Sequence, residues 1–176
     1  GRIGRRLAEI CSLGFRMNVI YSDAYPAPEE EEKRLDVQRV EFNDLLTASD
    51  YISLHVPLLD STHHLINAEA LARLQPHAIL VNCSRGPVVD ETALAAALKS
   101  NQMGGAIIDV FEREPPASDN PLFELDNVLL SPHYSGHSTE SIQKMAMVAS
   151  DIVRVLNGQK PQGPVNDPSE PRQLLI

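Results

Sequence analysis

The sequence predicts an α/β fold, a doubly wound parallel sheet covered by helices on both faces. Two observations predict it. Short apolar, β-branched runs alternate with helical patterns along most of the chain. The runs themselves are largely apolar, as strands buried on both faces are.

The elements follow in order. Gly1-Arg2-Ile3-Gly4 opens onto a helix with Ile3, Leu7, Ile10 and Cys11 on one face and Gly14 as its stop. Val19-Ile20-Tyr21 is a short strand ended by Ser22-Asp23 and followed by Pro26 and Pro28. The acidic run Glu29 to Glu32 reads as a solvated loop or a frayed helix start, without assigned function. A strand is expected near Gln38 to Val40, a short helix near Asp44 to Thr47, a strand over Tyr51 to His55, a helix over Ala68 to Leu74 and a strand over Ala78 to Asn82. Asp90 can cap a helix running to Lys99, and Gly105 to Asp109 follows as a strand. Residues 110 to 127 form a Pro-rich loop, and Val128 to Leu130 is a strand. A long helix from Thr139 to Leu156 is expected to bury Ile142, Met145, Ala149, Ile152, Val153 and Leu156, with Met147 also read as packing. After Gly158 the Pro- and Gly-rich tail is expected to be extended.

The chain has 176 residues, room for one ordinary domain; 43% are hydrophobic and 22% charged, with 9 Gly and 13 Pro, which excludes disordered, collagenous and low-complexity classes. Lys and Arg number 15 against 24 Asp and Glu, a net charge of −9, and an acidic surface argues against nucleic acid or anionic membranes as partners. No apolar run approaches the roughly 20 residues that cross a bilayer. Cys11 and Cys83 fit a reducing compartment, so the expected location is cytoplasmic.

Ligands of a doubly wound sheet bind where strands end. That directs attention to Asp23, His55-Val56-Pro57, Asn82 to Pro87, Asp109 to Glu114 and Ser131 to Gly136. Gly1-x-x-Gly4, then a helix, a strand and Asp23, is the back half of a dinucleotide fingerprint: helix-start N–H groups for a pyrophosphate and a carboxylate for the ribose hydroxyls. Asp23 would also repel a 2′-phosphate. A helix-start glycine with a capping Asp is the other reading of that spacing. Arg85 stands on a Gly-Pro turn between strand and helix, where it either faces the crevice as a carboxylate anchor or caps the preceding helix from the surface. Asp109 to Glu114 brings acids to the next strand end, and Ser131-Pro132-His133 an imidazole to the last. His63 and His64 read as loop residues rather than metal ligands, and no metal site is expected. Cys83 reads as a small buried thiol.

The segments G-R-I-G, D-Y-I-S-L-H-V-P-L with T-H-H-L-I-N, V-N-C-S-R-G-P-V-V-D-E-T-A-L, D-V-F-E-R-E-P and S-P-H together resemble the NAD-binding region of the D-isomer-specific 2-hydroxyacid dehydrogenase family, over about residues 1 to 166. The resemblance implies a Rossmann fold, NAD as cofactor, a small 2-hydroxy or 2-keto acid as substrate and a homodimer. It implies three catalytic residues: Arg85 anchoring the substrate carboxylate, His133 exchanging a proton with the substrate oxygen, and Glu114 orienting the imidazole and favouring its imidazolium. It implies a cofactor site made of Gly1, Arg2, Ile3, Gly4 and Asp23, of His55, Val56, Pro57 and Thr62, and of Cys83, Ser84, Arg85, Asp109, His133 and Gly136. Asp109 would contact the nicotinamide carboxamide. Formate dehydrogenases of this group carry Gln where Glu114 stands, which favours hydroxyacid chemistry. An NAD(H)-sensing relative of the C-terminal-binding-protein corepressors is the alternative, although Tyr134-Ser135-Gly136 lacks the tryptophan those proteins place after the histidine. A non-catalytic remnant is a further one.

The family's first fingerprint glycine, the strand before it and the substrate domain have no counterpart in the sequence. The expectation is therefore a dinucleotide-binding domain over 1–138, incomplete at its N-terminus and interrupted between its second and fourth strands. A helix and tail over 139–176 would return to a substrate domain. His137 stands where the family often has a small residue.

Overall fold

The computed structural model describes residues 1–164. The chain divides into two units, Gly1–Ser135 and a second that begins at Gly136.

The first unit opens with α1 (Arg2–Glu9), which continues as a wider π-helical turn to Gly14, closed by the Phe15 N–H on the Ile10 carbonyl at 3.1 Å. Then β1 (Val19–Tyr21), α2 (Glu29–Leu35), β2 (Val37–Arg39), α3 (Phe42–Ala48) and β3 (Tyr51–Leu54) alternate. The acidic run is thus the start of α2, where carboxylates complement the helix dipole. α4 (Ala68–Leu71), β4 (Ile79–Asn82), α5 (Glu91–Lys99), β5 (Gly105–Ile108) and β6 (Val128–Leu130) complete the unit.

β3, β4, β5 and β6 lie side by side in that order, all parallel, while β1 and β2 form a separate parallel pair. Among the described residues no hydrogen-bond ladder joins β1 to β3, the interruption expected from the sequence. The core sits on the larger sheet. Leu80 of β4, Ile52 and Leu54 of β3 and Ala106 and Ile108 of β5 pack with Leu94 and Leu98, one turn apart on α5, and with Leu46 of α3. Each fully buried leucine contributes about 2 kcal/mol in water-exclusion terms. α5 starts where expected, because the Asp90 carboxylate accepts the Ala93 N–H at 2.9 Å. α4 is shorter than expected: it ends at Leu71, and Arg73 and Leu74 close tight turns instead, ahead of Gln75-Pro76, where the approaching proline disfavours further helix.

The second unit contains α6 (Thr139–Leu156), begun by a reciprocal cap in which the Ser138 hydroxyl accepts the Ser141 N–H at 3.1 Å and the Ser141 hydroxyl accepts the Ser138 N–H at 2.8 Å. Its boundaries match the expectation; its burial does not. Ile142, Met145, Met147, Ala149, Ile152, Val153 and Leu156 are not buried. A helical stripe is buried only when another element lies along it, and among the described residues the segment that folds back onto α6 covers a polar stretch. Asp151 accepts the N–H groups of Gln162 at 2.7 Å and Gly163 at 3.0 Å, and Arg154 donates to the Lys160 carbonyl at 3.0 Å. The chain after Gly158 therefore turns back rather than extending, and the rest of the expected tail, 165–176, lies outside the described residues.

Candidate active site

The loop after β4 is shaped by one buried amide. Asn82 Oδ1 accepts the N–H and hydroxyl of Ser84 at 3.0 and 2.8 Å, and its Nδ2 donates to the Arg85 carbonyl at 3.0 Å. With Asn82 turned inward, strand alternation turns Cys83 outward, so the thiol expected to be buried is exposed. Local desolvation still pushes that thiol up, with Asp109 adding and a Ser135 hydrogen bond opposing. Arg85 is exposed, and its Nη1 reaches back to the Ser84 carbonyl at 2.6 Å. Gly86 lets this loop lie directly on the next one: a Cβ there would stand 1.9 Å from the Phe111 carbonyl oxygen and 2.5 Å from the Glu112 nitrogen.

The loop after β5 carries the acids. Glu114 Oε1 accepts the Phe111 N–H at 3.1 Å, and Oε2 meets His133 Nδ1 at 2.8 Å. The His133 contact holds the Glu114 carboxyl below its ordinary range, against a smaller desolvation effect. Glu112 Oε1 meets His64 Nε2 at 2.5 Å, and the Glu112 N–H donates to Glu91 Oε2 at 3.2 Å.

The loop after β6 hangs from Asp109. This buried carboxylate accepts the Tyr134 N–H at 2.8 Å, the Ser135 N–H at 3.1 Å and the Ser135 hydroxyl at 2.6 Å, while its backbone carbonyl takes the His133 N–H at 2.7 Å. Burial pushes the Asp109 carboxyl up, but hydrogen bonds from Ser131, Ser135 and Tyr134 outweigh it and hold the group at about 2. Held this way, His133 adopts a left-handed backbone, φ +55°.

Three loops therefore meet. Arg85, Val110, Glu112, Glu114 and His133 line one crevice of about 180 Å³. A second, more apolar cavity of about 360 Å³, walled by Phe111, Phe123, Pro115, Leu130 and Pro132, adjoins the Glu114–His133 pair.

The remaining expected residues lie at the other strand ends. Gly1 precedes α1 without a side-chain cap, and Arg2, Ile3 and Gly4 form its first turn. Gly4 approaches the His55 ring so closely that a Cβ would sit 3.4 Å from it. His55 is half-buried, bonds Ser53 Oγ through Nε2 at 3.0 Å, and is pushed below its ordinary pKa chiefly by that burial. Asp23, just beyond β1, accepts the Tyr25 N–H at 2.9 Å, and Arg39 donates to the Asp23 carbonyl at 3.2 Å. Val56 packs on the core and Pro57 is exposed. The Thr62 hydroxyl is engaged within its own loop, donating to the Pro57 carbonyl at 2.7 Å and accepting the Leu59 N–H at 2.8 Å. Gly136 belongs to the second unit, where its carbonyl accepts the Ser141 hydroxyl. Among the described residues no group of His, Cys, Asp and Glu is arranged to hold a metal, and no helix is long and apolar enough to cross a membrane.

The donor set fits a dinucleotide. An uncapped helix start, a glycine in its first turn beside His55, and an acid two residues past β1 are groups of the kind that hold a pyrophosphate and a ribose diol. Two residues escaped sequence reasoning: Glu112, which lines the crevice, and His64, which bonds it. The signal for Glu112 was its place in the acid-bearing stretch Asp109 to Glu114 at a strand end. His64 had none, because its contact spans 48 residues.

A parallel sheet with this donor set and these loops defines a dinucleotide-binding domain of the Rossmann type. Residues 1–135 match the NAD-binding domain of D-isomer specific 2-hydroxyacid dehydrogenases, and the chain belongs to that family. It is 46% identical over 167 residues to a glyoxylate reductase of Korarchaeum cryptofilum, covering 94% of this chain and 50% of that protein. It is 44% identical over 178 residues to a D-3-phosphoglycerate dehydrogenase of Methanocaldococcus jannaschii, covering 99% of this chain and 33% of that one. Its fold superposes on D-lactate dehydrogenase with NAD⁺ from Lactobacillus jensenii with a TM-score of 0.85 at 29% identity, covering 95% of this chain and 53% of that chain. The chain thus spans about half the length of most of the curated relatives it matches.

Proposed function

We propose that the protein is an NAD-dependent oxidoreductase interconverting a small 2-keto acid and the corresponding D-2-hydroxy acid. The observation that carries this reading is the 2.8 Å pair between His133 Nδ1 and Glu114 Oε2 in the same crevice as Arg85. When bound, the nicotinamide supplies or accepts the hydride. Arg85 offers two parallel N–H donors to the substrate carboxylate and so orients the adjacent C2. His133, with Nδ1 committed to Glu114, presents Nε2 to the C2 oxygen, donating a proton in reduction and taking one in oxidation. Glu114 keeps the ring in that tautomer and balances its charge. Asp109 acts through the His133 loop it suspends, and in this reading would also contact the nicotinamide amide.

In this reading residues 1–138 bind the cofactor, with Asp23 selecting NAD over its 2′-phosphorylated form, and 139–176 lead toward a substrate domain. We also read the protein as a cytoplasmic homodimer. The unbridged Cys11 and Cys83 support the compartment, and the apolar stripe of α6 is surface of the kind subunits bury.

The test is NADH consumption with glyoxylate, hydroxypyruvate and pyruvate, beside calorimetry of NADH. The expected result is NADH binding, turnover of at least one 2-keto acid, and a loss of about 100-fold or more in His133→Ala. Tight NADH binding with no turnover of any 2-keto acid would overturn the reading.

A further inference from the structure

The crevice holds two carboxylates, Glu112 and Glu114, and one guanidinium, Arg85, yet Arg85 makes no ion pair among the described residues. Each acid is instead engaged by a histidine: Glu114 by His133 at 2.8 Å and Glu112 by His64 at 2.5 Å. A Glu and an Arg that line one small cleft can form a charge-assisted, bidentate pair when nothing else holds the carboxylate. We infer that His64 is a positioning residue that sequesters Glu112, leaving the Arg85 guanidinium available to the carboxylate of the substrate. The inference rests on the role proposed above for Arg85.

The backbone shows how His64 is held to this task. Its N–H donates to the Pro87 carbonyl at 2.8 Å, the Ile66 N–H to the Val88 carbonyl at 3.0 Å, and the Asp90 N–H returns to the Ile66 carbonyl at 3.0 Å. The segment carrying His64 is therefore stitched to the chain that leaves Arg85. His64 takes a left-handed backbone, φ +49°, a conformation disfavoured for a residue with a Cβ, and the His63 ring stacks on its own at 4.1 Å. Asp90 stands on the far side, its Oδ2 4.0 Å from His64 Nδ1, so the Nε2 edge is the one turned to Glu112. At the other end the Glu112 backbone is clamped by Glu91, which also accepts Asn120 Nδ2 at 2.5 Å. Glu112 and Arg85 line the same crevice, so a Glu112 carboxylate released by His64 would have the Arg85 guanidinium as its alternative partner there. Glu112 acting as substitute anion would mimic the ligand's own carboxylate.

Two readouts test this. The first needs neither cofactor nor substrate: the Arg85 Nε–H resonance of the ¹⁵N-labelled protein, assigned by its loss in Arg85→Lys. In His64→Ala the signal is expected to shift downfield and exchange more slowly with solvent as Glu112 swings onto Arg85. In His64→Ala/Glu112→Gln it returns to the wild-type position. His64→Gln, which keeps an amide donor for Glu112, stays like wild type. An unmoved signal in folded His64→Ala, or a shift that persists in the double variant, overturns the inference. The second is calorimetric titration of oxamate, a 2-keto acid mimic, into the NADH-saturated protein. His64→Ala weakens it about tenfold with NADH affinity unchanged, and the double variant recovers to within about twofold. Failure of wild type to bind oxamate would instead sink the role of Arg85 in substrate binding, while the resonance shift still decides what His64 does to Glu112.

Discussion

Asp109 and Ser135, 26 residues apart, are joined twice: the carboxylate takes both the Ser135 hydroxyl, at 2.6 Å, and the Ser135 N–H, at 3.1 Å. This contact decides where His133 stands, because it fastens the far end of the loop on which the imidazole is carried. Together with the Tyr134 N–H on the same carboxylate and the His133 N–H on the Asp109 carbonyl, it maintains the left-handed backbone at His133.

The pH dependence of stability follows from that contact. The Asp109 carboxyl is held at about 2 in the folded protein, below its ordinary 3.8. A lowered carboxylate pKa stabilises above the unfolded value, and the gain disappears as pH falls from about 4 toward 2. Asp109→Asn is therefore expected to be less stable by about 2 kcal/mol at pH 7, with the gap narrowing below pH 4. Urea denaturation of both proteins across that range checks it.

Gly86→Ala sets a Cβ against backbone that cannot move aside cheaply, with contacts of 1.9 and 2.0 Å to the Phe111 carbonyl group. A cost of about 1–3 kcal/mol is expected from this overpacking. Because relief requires the two loops to part, oxamate affinity should fall with stability; urea denaturation and calorimetry report the two.

Glu114→Gln keeps the shape of the pair with His133 but removes its charge. A loss of about 100-fold in kcat for 2-keto acid reduction is expected. In wild type the carboxyl lies below its ordinary range, so the acidic limb set by Glu114 falls below that range, and Glu114→Gln lacks it. A pH profile of kcat/KM in both proteins measures this.

In the proposed cofactor site Asp23 and Arg39 would bear on cofactor choice in opposite senses. The Asp23 carboxylate would repel a 2′-phosphate, whereas the Arg39 guanidinium, 3.2 Å from the Asp23 carbonyl, would attract one. Wild type should prefer NADH to NADPH, and Asp23→Ser should narrow that preference about tenfold, a shift of roughly 1.4 kcal/mol. Arg39→Ala in the same background should cancel the gain, as read by calorimetry with both cofactors.

What the sequence made legible was local or periodic. The Asp90 cap needs only its own helix, and α6 runs over the residues its apolar spacing marks. The Glu114–His133 pair was legible only through resemblance, since 19 residues separate its members. What was missed depended on neighbours. Cys83 faces outward because Asn82 is drawn inward by three hydrogen bonds, a competition that no single-residue tendency expresses. The α6 stripe is correctly apolar yet exposed, because periodicity marks a face without supplying its partner. His64 and Glu112 meet because Gly86 and Pro87 bring their loops together, which is a property of the assembled sheet.

The order β3-β4-β5-β6 sets each strand beside the one synthesised just before it. Such a sheet can grow by accretion, each new strand docking on a finished neighbour with only a short length of chain to close. Along that route Arg85 arrives with the second strand, Glu114 follows the third, and His133 comes in with the last. The Glu114–His133 pair is thus completed at the final step, after the core that supports it is already in place.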